Sequence, residues 1–160
     1  MIKVCFVCLG NICRSPTAEG VMKKLVLHAG LADKIFIDSA GTSAYHVGEA
    51  ADARSRETAA KHGYQLTSRS RKIHPQDLAT FDYIVAMDQS NYQNILQICT
   101  TTQEREKVSL LRNFDPTSPK DASVPDPYYG GDRGFIDVLN ICIRGCEGLL
   151  KHIQERDLHA

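Results

Sequence analysis

Ile2-Lys3-Val4-Cys5-Phe6-Val7-Cys8, followed at once by Leu9-Gly10-Asn11-Ile12-Cys13-Arg14-Ser15-Pro16, decides how the rest of the chain is read. The first seven residues are a short apolar run rich in β-branched side chains, the pattern of a strand buried on both faces. Ser15-Pro16 offers a helix start, with Ser as N-cap and Pro at the first helical position. Ala18, Val21, Met22, Leu25, Val26 and Ala29 then recur at helical spacing, and Gly30 ends the run. The chain opens strand, tight loop, helix.

The alternation continues outward. Residues 34–38 read as a second strand ending at Ser39-Ala40-Gly41, and Asp52 caps a helix that runs through His62 and stops at Gly63. Residues 82–87 form a third strand ending at Asp88, 90–98 a helix and 108–111 a short fourth strand. Phe135, Leu139, Cys142, Cys146, Leu149, Leu150 and Ile153 stripe a long C-terminal helix. Strands alternating with helices predict right-handed βαβ units. The fold expected is α/β: a Rossmann-like three-layer sandwich around a central four-stranded parallel sheet, with a phosphate-binding loop after strand 1. No repeat or linker divides it, so residues 1–160 read as one domain. Residues 112–134 stand apart, holding four of the six prolines, and a loop of roughly 20 residues in such a fold is usually functional.

Composition narrows the function classes. The chain has 160 residues, with 19 Lys+Arg against 19 Asp+Glu, 42% hydrophobic and 24% charged. This is a globular composition, and zero net charge argues against a protein that coats nucleic acid or an anionic membrane. The apolar stretch 4–9 is too short for a signal-peptide core, and nothing approaches the ~18 apolar residues of a membrane span. A cytoplasmic, reduced protein is expected, so the six cysteines need local explanations rather than disulfides.

The loop from Cys8 to Ser15 lies between a strand's carboxyl end and a helix N-terminus, where backbone N–H groups and the helix dipole favour anions. Gly10 permits close approach, and Asn11 tolerates the left-handed conformation of a tight cradle. Neither a Walker A loop nor G-x-G-x-x-G is present, so nucleotide binding has no support. Instead, Arg14 supplies a planar fork suited to phosphate, and the same positive potential favours the reactive thiolate form of Cys8. A thiolate beside a phosphate cradle is the apparatus for covalent attack on phosphorus.

Residues 7–16 resemble the signature of the low molecular weight protein tyrosine phosphatases. Asp38-Ser39-Ala40-Gly41-Thr42, Tyr45-His46-Val47-Gly48, His62-Gly63, Ala86-Met87-Asp88 and Asp126-Pro127-Tyr128-Tyr129-Gly130 extend the likeness in order along nearly the whole chain. The resemblance implies a metal-independent hydrolase without cofactors, acting on tyrosine-phosphorylated proteins and other aryl phosphate monoesters, and so also an acid phosphatase. Cys8 would form a phosphocysteine. Arg14 would hold the phosphoryl oxygens with Leu9, Gly10, Asn11, Ile12, Cys13 and Ser15 of the loop, and Asp126 would protonate the leaving phenolate. Ser15 could donate to the Cys8 sulfur, Ser39 and His62 could fix Asn11, and Asp88 could orient Arg14 or cap a helix. Tyr45, Tyr128 and Tyr129 would wall a slot for the substrate ring. Cys13 could form a protective disulfide with oxidised Cys8. A monomer is expected, with the loop aromatics available for weak self-association.

The other motifs are bland. Cys5 and Cys8 form a C-x-x-C along a strand, where they face opposite sides. Cys142 and Cys146 belong to an apolar stripe, while Cys99 has no evident place. The six histidines show no metal-binding pattern, so no metal is expected. Ser68-Arg69-Ser70-Arg71-Lys72 reads as a solvated loop. A thiol-dependent arsenate reductase shares such a cysteine–arginine loop but needs two further cysteines, and none lies between Gly63 and Ile98. A phospholigand-binding module or phosphoryl carrier would not need both Arg14 and a leaving-group acid.

Overall fold

The apolar run that opens the chain becomes β1 (Ile2–Cys8), an inner strand of a computed structural model that describes residues 1–127 and 131–158. It pairs in parallel with β2 (Ile35–Gly41) on one side and β3 (Tyr83–Ala86) on the other, and β4 (Val108–Leu110) pairs with β3. The order is β2-β1-β3-β4. The chain steps from β1 to one side and then crosses back to the other, so the carboxyl ends of β1 and β3 flank a topological switch point, where such sheets bind ligands. Cys8 ends the first strand there, and Asp88 follows the second.

Side-chain alternation makes three layers from this sheet. Val4, Phe6 and Cys8 enter one core with Val21 and Met22 of α1 (Arg14–His28) and Leu139, Cys142 and Cys146 of α6 (Gly131–Arg156). Cys5 and Val7 enter the other core, with Leu78 of α3 (Pro75–Thr80) and Ile95 of α4 (Gln89–Ile98). Burial on both faces explains the uninterrupted hydrophobic run, and burying each Phe6- or Val4-sized side chain contributes ~1.5–3 kcal/mol. It also separates Cys5 from Cys8, so the C-x-x-C is no pair. Cys99 finds its place at the end of α4, buried in the second core with its thiol 3.4 Å from the Ile95 carbonyl.

The helix punctuation follows the sequence closely. Asp52 caps α2 (Ala53–Lys61), its carboxylate accepting from the Arg54 and Ser55 amides at 2.8 and 3.4 Å. Gly30, at φ 73°, closes α1 while the Leu31 amide donates to the Val26 carbonyl.

Other boundaries moved. β2 takes in Ser39-Ala40-Gly41, the stretch at which it was expected to end, because β1 keeps pairing to its last residue, Cys8 opposite Gly41. α3 and α5 (Thr102–Glu106) were not expected, being six and five residues long and too short to display a helical period. The proline-rich segment is not structureless either. A 3₁₀ turn (Leu111–Phe114) begins it, buried Asp115 binds Thr117 and Arg144, and Val124 is fully buried. Among the described residues no helix is long and apolar enough to cross a membrane, and no group of three or more His, Cys, Asp or Glu could hold a metal ion.

Candidate active site

Between β1 and α1 the chain curls through Asn11, which adopts φ 56° and is buried. Its carboxamide pins the curl three ways. Nδ2 donates to the Ser15 and Ser39 hydroxyls at 2.8 and 2.9 Å, and Oδ1 accepts from the Arg71 amide at 3.0 Å. Ser39 in turn donates to buried Glu19, which pairs with Lys23 at 2.6 Å. The Ser70 hydroxyl holds the Gly10 carbonyl at 2.9 Å. On the inner wall stands Gly41, where a β-carbon would come within 2.7 Å of the Leu9 carbonyl oxygen. No larger residue fits against the loop there.

Two donors address the Cys8 sulfur. The Ser15 Oγ lies 3.0 Å away, and the Asn11 amide donates at 3.3 Å. Hydrogen bonds to a thiolate favour that form over the thiol. The expected N-cap role of Ser15 is corrected. α1 begins two residues earlier, at Arg14, and Cys13 stands at the cap without a side-chain bond, which leaves the Ser15 hydroxyl for Cys8 and Asn11.

Arg14 is buried, and its Nη1 donates both to Asp88 Oδ2 at 2.6 Å and to the Val124 carbonyl at 3.0 Å. Burial alone would lower its pKa, but facing Cys8 and the Asp88 carboxylate push it upward. Besides binding Arg14, Asp88 caps α4, its Oδ1 accepting from the Asn91 amide at 2.7 Å.

Cys8, Arg14 and Asp126 line one cavity of about 310 Å³ with loop residues Leu9, Gly10, Ile12 and Cys13. Tyr45, 85% exposed, stands at its mouth edge-on to His46, with ring centroids 4.9 Å apart. Tyr128 and Tyr129, the other expected walls, lie outside the described residues. The Cys13 thiol is pushed up to about 12 by burial and by Asp52.

His62 is the expectation that fails. It ends α2 in an exposed position, its Nδ1 2.9 Å from the Thr58 carbonyl, and it does not bind Asn11. The third bond to Asn11 comes instead from the Arg71 main chain. Segment 68–72 therefore is not a solvated loop. Ser70 is buried, and the Arg71 side chain is clamped by Asp38 at 3.1 Å and by Asp77 at 2.9 Å. Sequence reading also missed Glu19, Val124, Ser43 and His46. For His46 the signal was its place in the Tyr45-His46-Val47-Gly48 stretch, and for Ser70 it was a serine inside a cationic run.

The family model for low molecular weight phosphotyrosine protein phosphatase matches residues 3–158. A Synechocystis protein named as a low molecular weight protein-tyrosine-phosphatase is 47% identical over 93% of this chain and 94% of its own length. The rat low molecular weight phosphotyrosine protein phosphatase is 43% identical over 92% and 93%. Among solved structures, the Entamoeba histolytica protein tyrosine phosphatase with Hepes in its active site superposes with a TM-score of 0.93. It is 45% identical, covering 97% of this chain and 98% of that one. A Drosophila arginine phosphatase superposes with a TM-score of 0.89 at 34% identity, covering 98% and 100%. With its cysteine at a switch point and its arginine opening the helix behind it, the chain belongs to the low molecular weight phosphotyrosine protein phosphatase family.

Proposed function

We propose that the protein hydrolyses phosphotyrosine in proteins, and aryl phosphate monoesters generally, through a phosphocysteine intermediate. The observation that carries this reading is the Cys8 sulfur, facing two donors at 3.0 and 3.3 Å, in the cavity that Arg14 and Asp126 also line. The Cys8 thiolate attacks phosphorus, forming the S–P bond as the P–O bond to the aryl group breaks. Both bonds of Arg14 to Asp88 and Val124 use Nη1, so its Nε–Nη2 edge suits two equatorial oxygens, and loop amides serve the third. Asp126 gives its proton to the departing phenolate. It then takes one from the water whose oxygen displaces sulfur, releasing phosphate. The Ser15 hydroxyl stabilises the sulfur as it leaves. Tyr45, which lines the cavity, offers an aromatic wall for the substrate ring. Cys13 serves as partner to oxidised Cys8, both thiols lining the same cavity.

Hydrolysis of p-nitrophenyl phosphate, with and without EDTA, is the test. Wild type is expected to release phosphate equally in both, and Cys8→Ser to fall to background. Equal rates from wild type and Cys8→Ser would overturn the reading. Phosphoarginine run alongside would reveal a shift of substrate class toward the one in the Drosophila neighbour's name.

A further inference from the structure

The 3₁₀ turn at Leu111–Phe114 is seated directly on α6. Leu111 is fully buried, and a β-carbon on Gly145 would come within 2.7 Å of its side chain. A β-carbon on Gly148 would strike the Phe114 carbonyl, so both positions let the turn lie against the helix backbone. Arg144 adds an ion pair to the buried Asp115 that follows. Arg112 stands on this base, and its Nη1 donates to the Ser123 carbonyl at 2.8 Å. Its Nε is buried without a partner, so the side chain gives up one hydrogen bond in the orientation that makes this charge-assisted one. Asn113 and Asp121 close the excursion between the two ends. The Asn113 Nδ2 donates to Asp121 Oδ1 at 2.9 Å, and the Asp121 amide donates to Asn113 Oδ1 at 2.7 Å.

The acid segment begins where this clip ends. Val124 is fully buried and carries two bonds, its amide donating to the Met87 carbonyl at 2.7 Å and its carbonyl accepting from Arg14 at 3.0 Å. Two bonds on one residue leave the chain able to pivot about the line joining them, and the exposed Pro125 and Asp126 would swing with it. The Ser123 carbonyl, one residue upstream, is the third point that stops the pivot. Among the described residues Arg112 is not part of the catalytic cavity's lining, so it does not address the phosphoryl group. We infer that Arg112 is a positioning residue for the general acid. Through the Ser123 carbonyl it sets the direction in which the chain leaves Val124, and so where the Asp126 carboxyl stands relative to the leaving oxygen. The phosphate cradle, braced from Asn11, Ser39 and Ser70, does not depend on it. The role rests on the phosphatase reading, and the measurements below separate the two.

Steady-state kinetics would compare p-nitrophenyl phosphate, phenyl phosphate and a phosphotyrosine peptide by kcat/KM, which covers the steps through departure of the phenol. The variants are Arg112→Met, which keeps an apolar stem but no donor, and Arg112→Lys, which keeps a cationic donor. Asp126→Asn and its combination with Arg112→Met complete the set. Arg112→Met is expected to lose about tenfold on phenyl phosphate and the peptide, whose leaving groups need the proton, because a displaced acid delivers it poorly. The loss on p-nitrophenyl phosphate should stay within about twofold, as should any change in competitive inhibition by inorganic phosphate. Arg112→Lys should recover most of the loss. In the Asp126→Asn background, Arg112→Met should cost nothing further on phenyl phosphate, since a residue acting through the acid has nothing left to position. Equal losses on all three esters, weakened phosphate inhibition or a full additional loss in the double variant would overturn the role. So would wild-type kcat/KM from Arg112→Met on phenyl phosphate. Hydrolysis of p-nitrophenyl phosphate that survives Cys8→Ser would overturn the phosphatase reading itself, and the positioning role with it.

Discussion

Residues 8–15 and residues 123–127 both supply lining to the catalytic cavity and are held by different means. The phosphate loop buries Asn11, Arg14 and Ser15, and side chains from three other segments (Glu19, Ser39, Ser70) brace it. The acid segment leaves Ser123, Pro125 and Asp126 exposed, and its anchor is main chain. The Val124 amide donates to the Met87 carbonyl at 2.7 Å, and the Val124 carbonyl accepts from Arg14. The difference follows the chemistry each side has to do. Equatorial oxygens must be met by donors within tenths of an ångström as charge redistributes, which demands a cradle that is already organised. A proton donor has only to come within hydrogen-bond reach of the leaving oxygen, and a surface segment tied through main-chain bonds at Ser123 and Val124 suffices.

The most severe break of this comparison removes the acid. Asp126→Asn keeps size and hydrogen bonding but carries no transferable proton. Turnover of a phosphotyrosine peptide should fall by about 10²–10⁴-fold. The better leaving group of p-nitrophenyl phosphate should suffer much less, because p-nitrophenolate departs without a full proton transfer. Equal losses on both substrates would mean that Asp126 positions the substrate instead of protonating it.

A smaller effect is expected from loosening the braced side. Asn11→Ala deletes three hydrogen bonds and asks alanine to hold a left-handed φ of 56°. Buried partners left unsatisfied cost about 1–3 kcal/mol each, part of which appears as lost stability. kcat/KM should drop by roughly tenfold to a hundredfold on every phosphate ester alike, since tenfold corresponds to about 1.4 kcal/mol. The melting temperature should fall with it. A lower melting temperature with unchanged kinetics would show that the loop keeps its shape without this residue.

The same contrast explains what the sequence disclosed. Cys8 and Arg14 were legible because strand, loop and helix are local patterns, and the switch point follows from their order. Asp126 was legible only through its motif, since a single Asp before Pro carries no period. The braces were largely hidden. The Arg71 amide and the Val124 carbonyl act through main chain, which every residue possesses, so no side-chain identity marks them. His62 misled for the related reason that its distance from Asn11 depends on how the far end of α2 is placed relative to the loop, which sequence spacing does not give.

The mildest perturbation of the braced loop concerns Cys13, whose effect should appear only after oxidation. In the resting enzyme burial and Asp52 hold its thiol protonated up to about 12, with the facing Cys8 charge adding to the rise. Hydrogen peroxide converts the Cys8 thiolate to a sulfenic acid, which removes that charge but leaves burial and Asp52 in place. Closure of the Cys8–Cys13 disulfide forms the S–S bond and expels the sulfenic oxygen as water, and the attacking species is the Cys13 thiolate. Because its pKa is raised, the thiolate fraction near neutrality is small and grows up to tenfold per pH unit. Protection should therefore be weaker at pH 7 than at pH 9. The readout is the fraction of activity that dithiothreitol restores after a fixed peroxide exposure. That fraction should rise with pH in wild type, while Cys13→Ser, with near wild-type resting turnover, should accumulate Cys8 sulfinic acid and recover little at either pH. Full recovery of Cys13→Ser would remove Cys13 from the redox chemistry and leave it as a wall of the cavity.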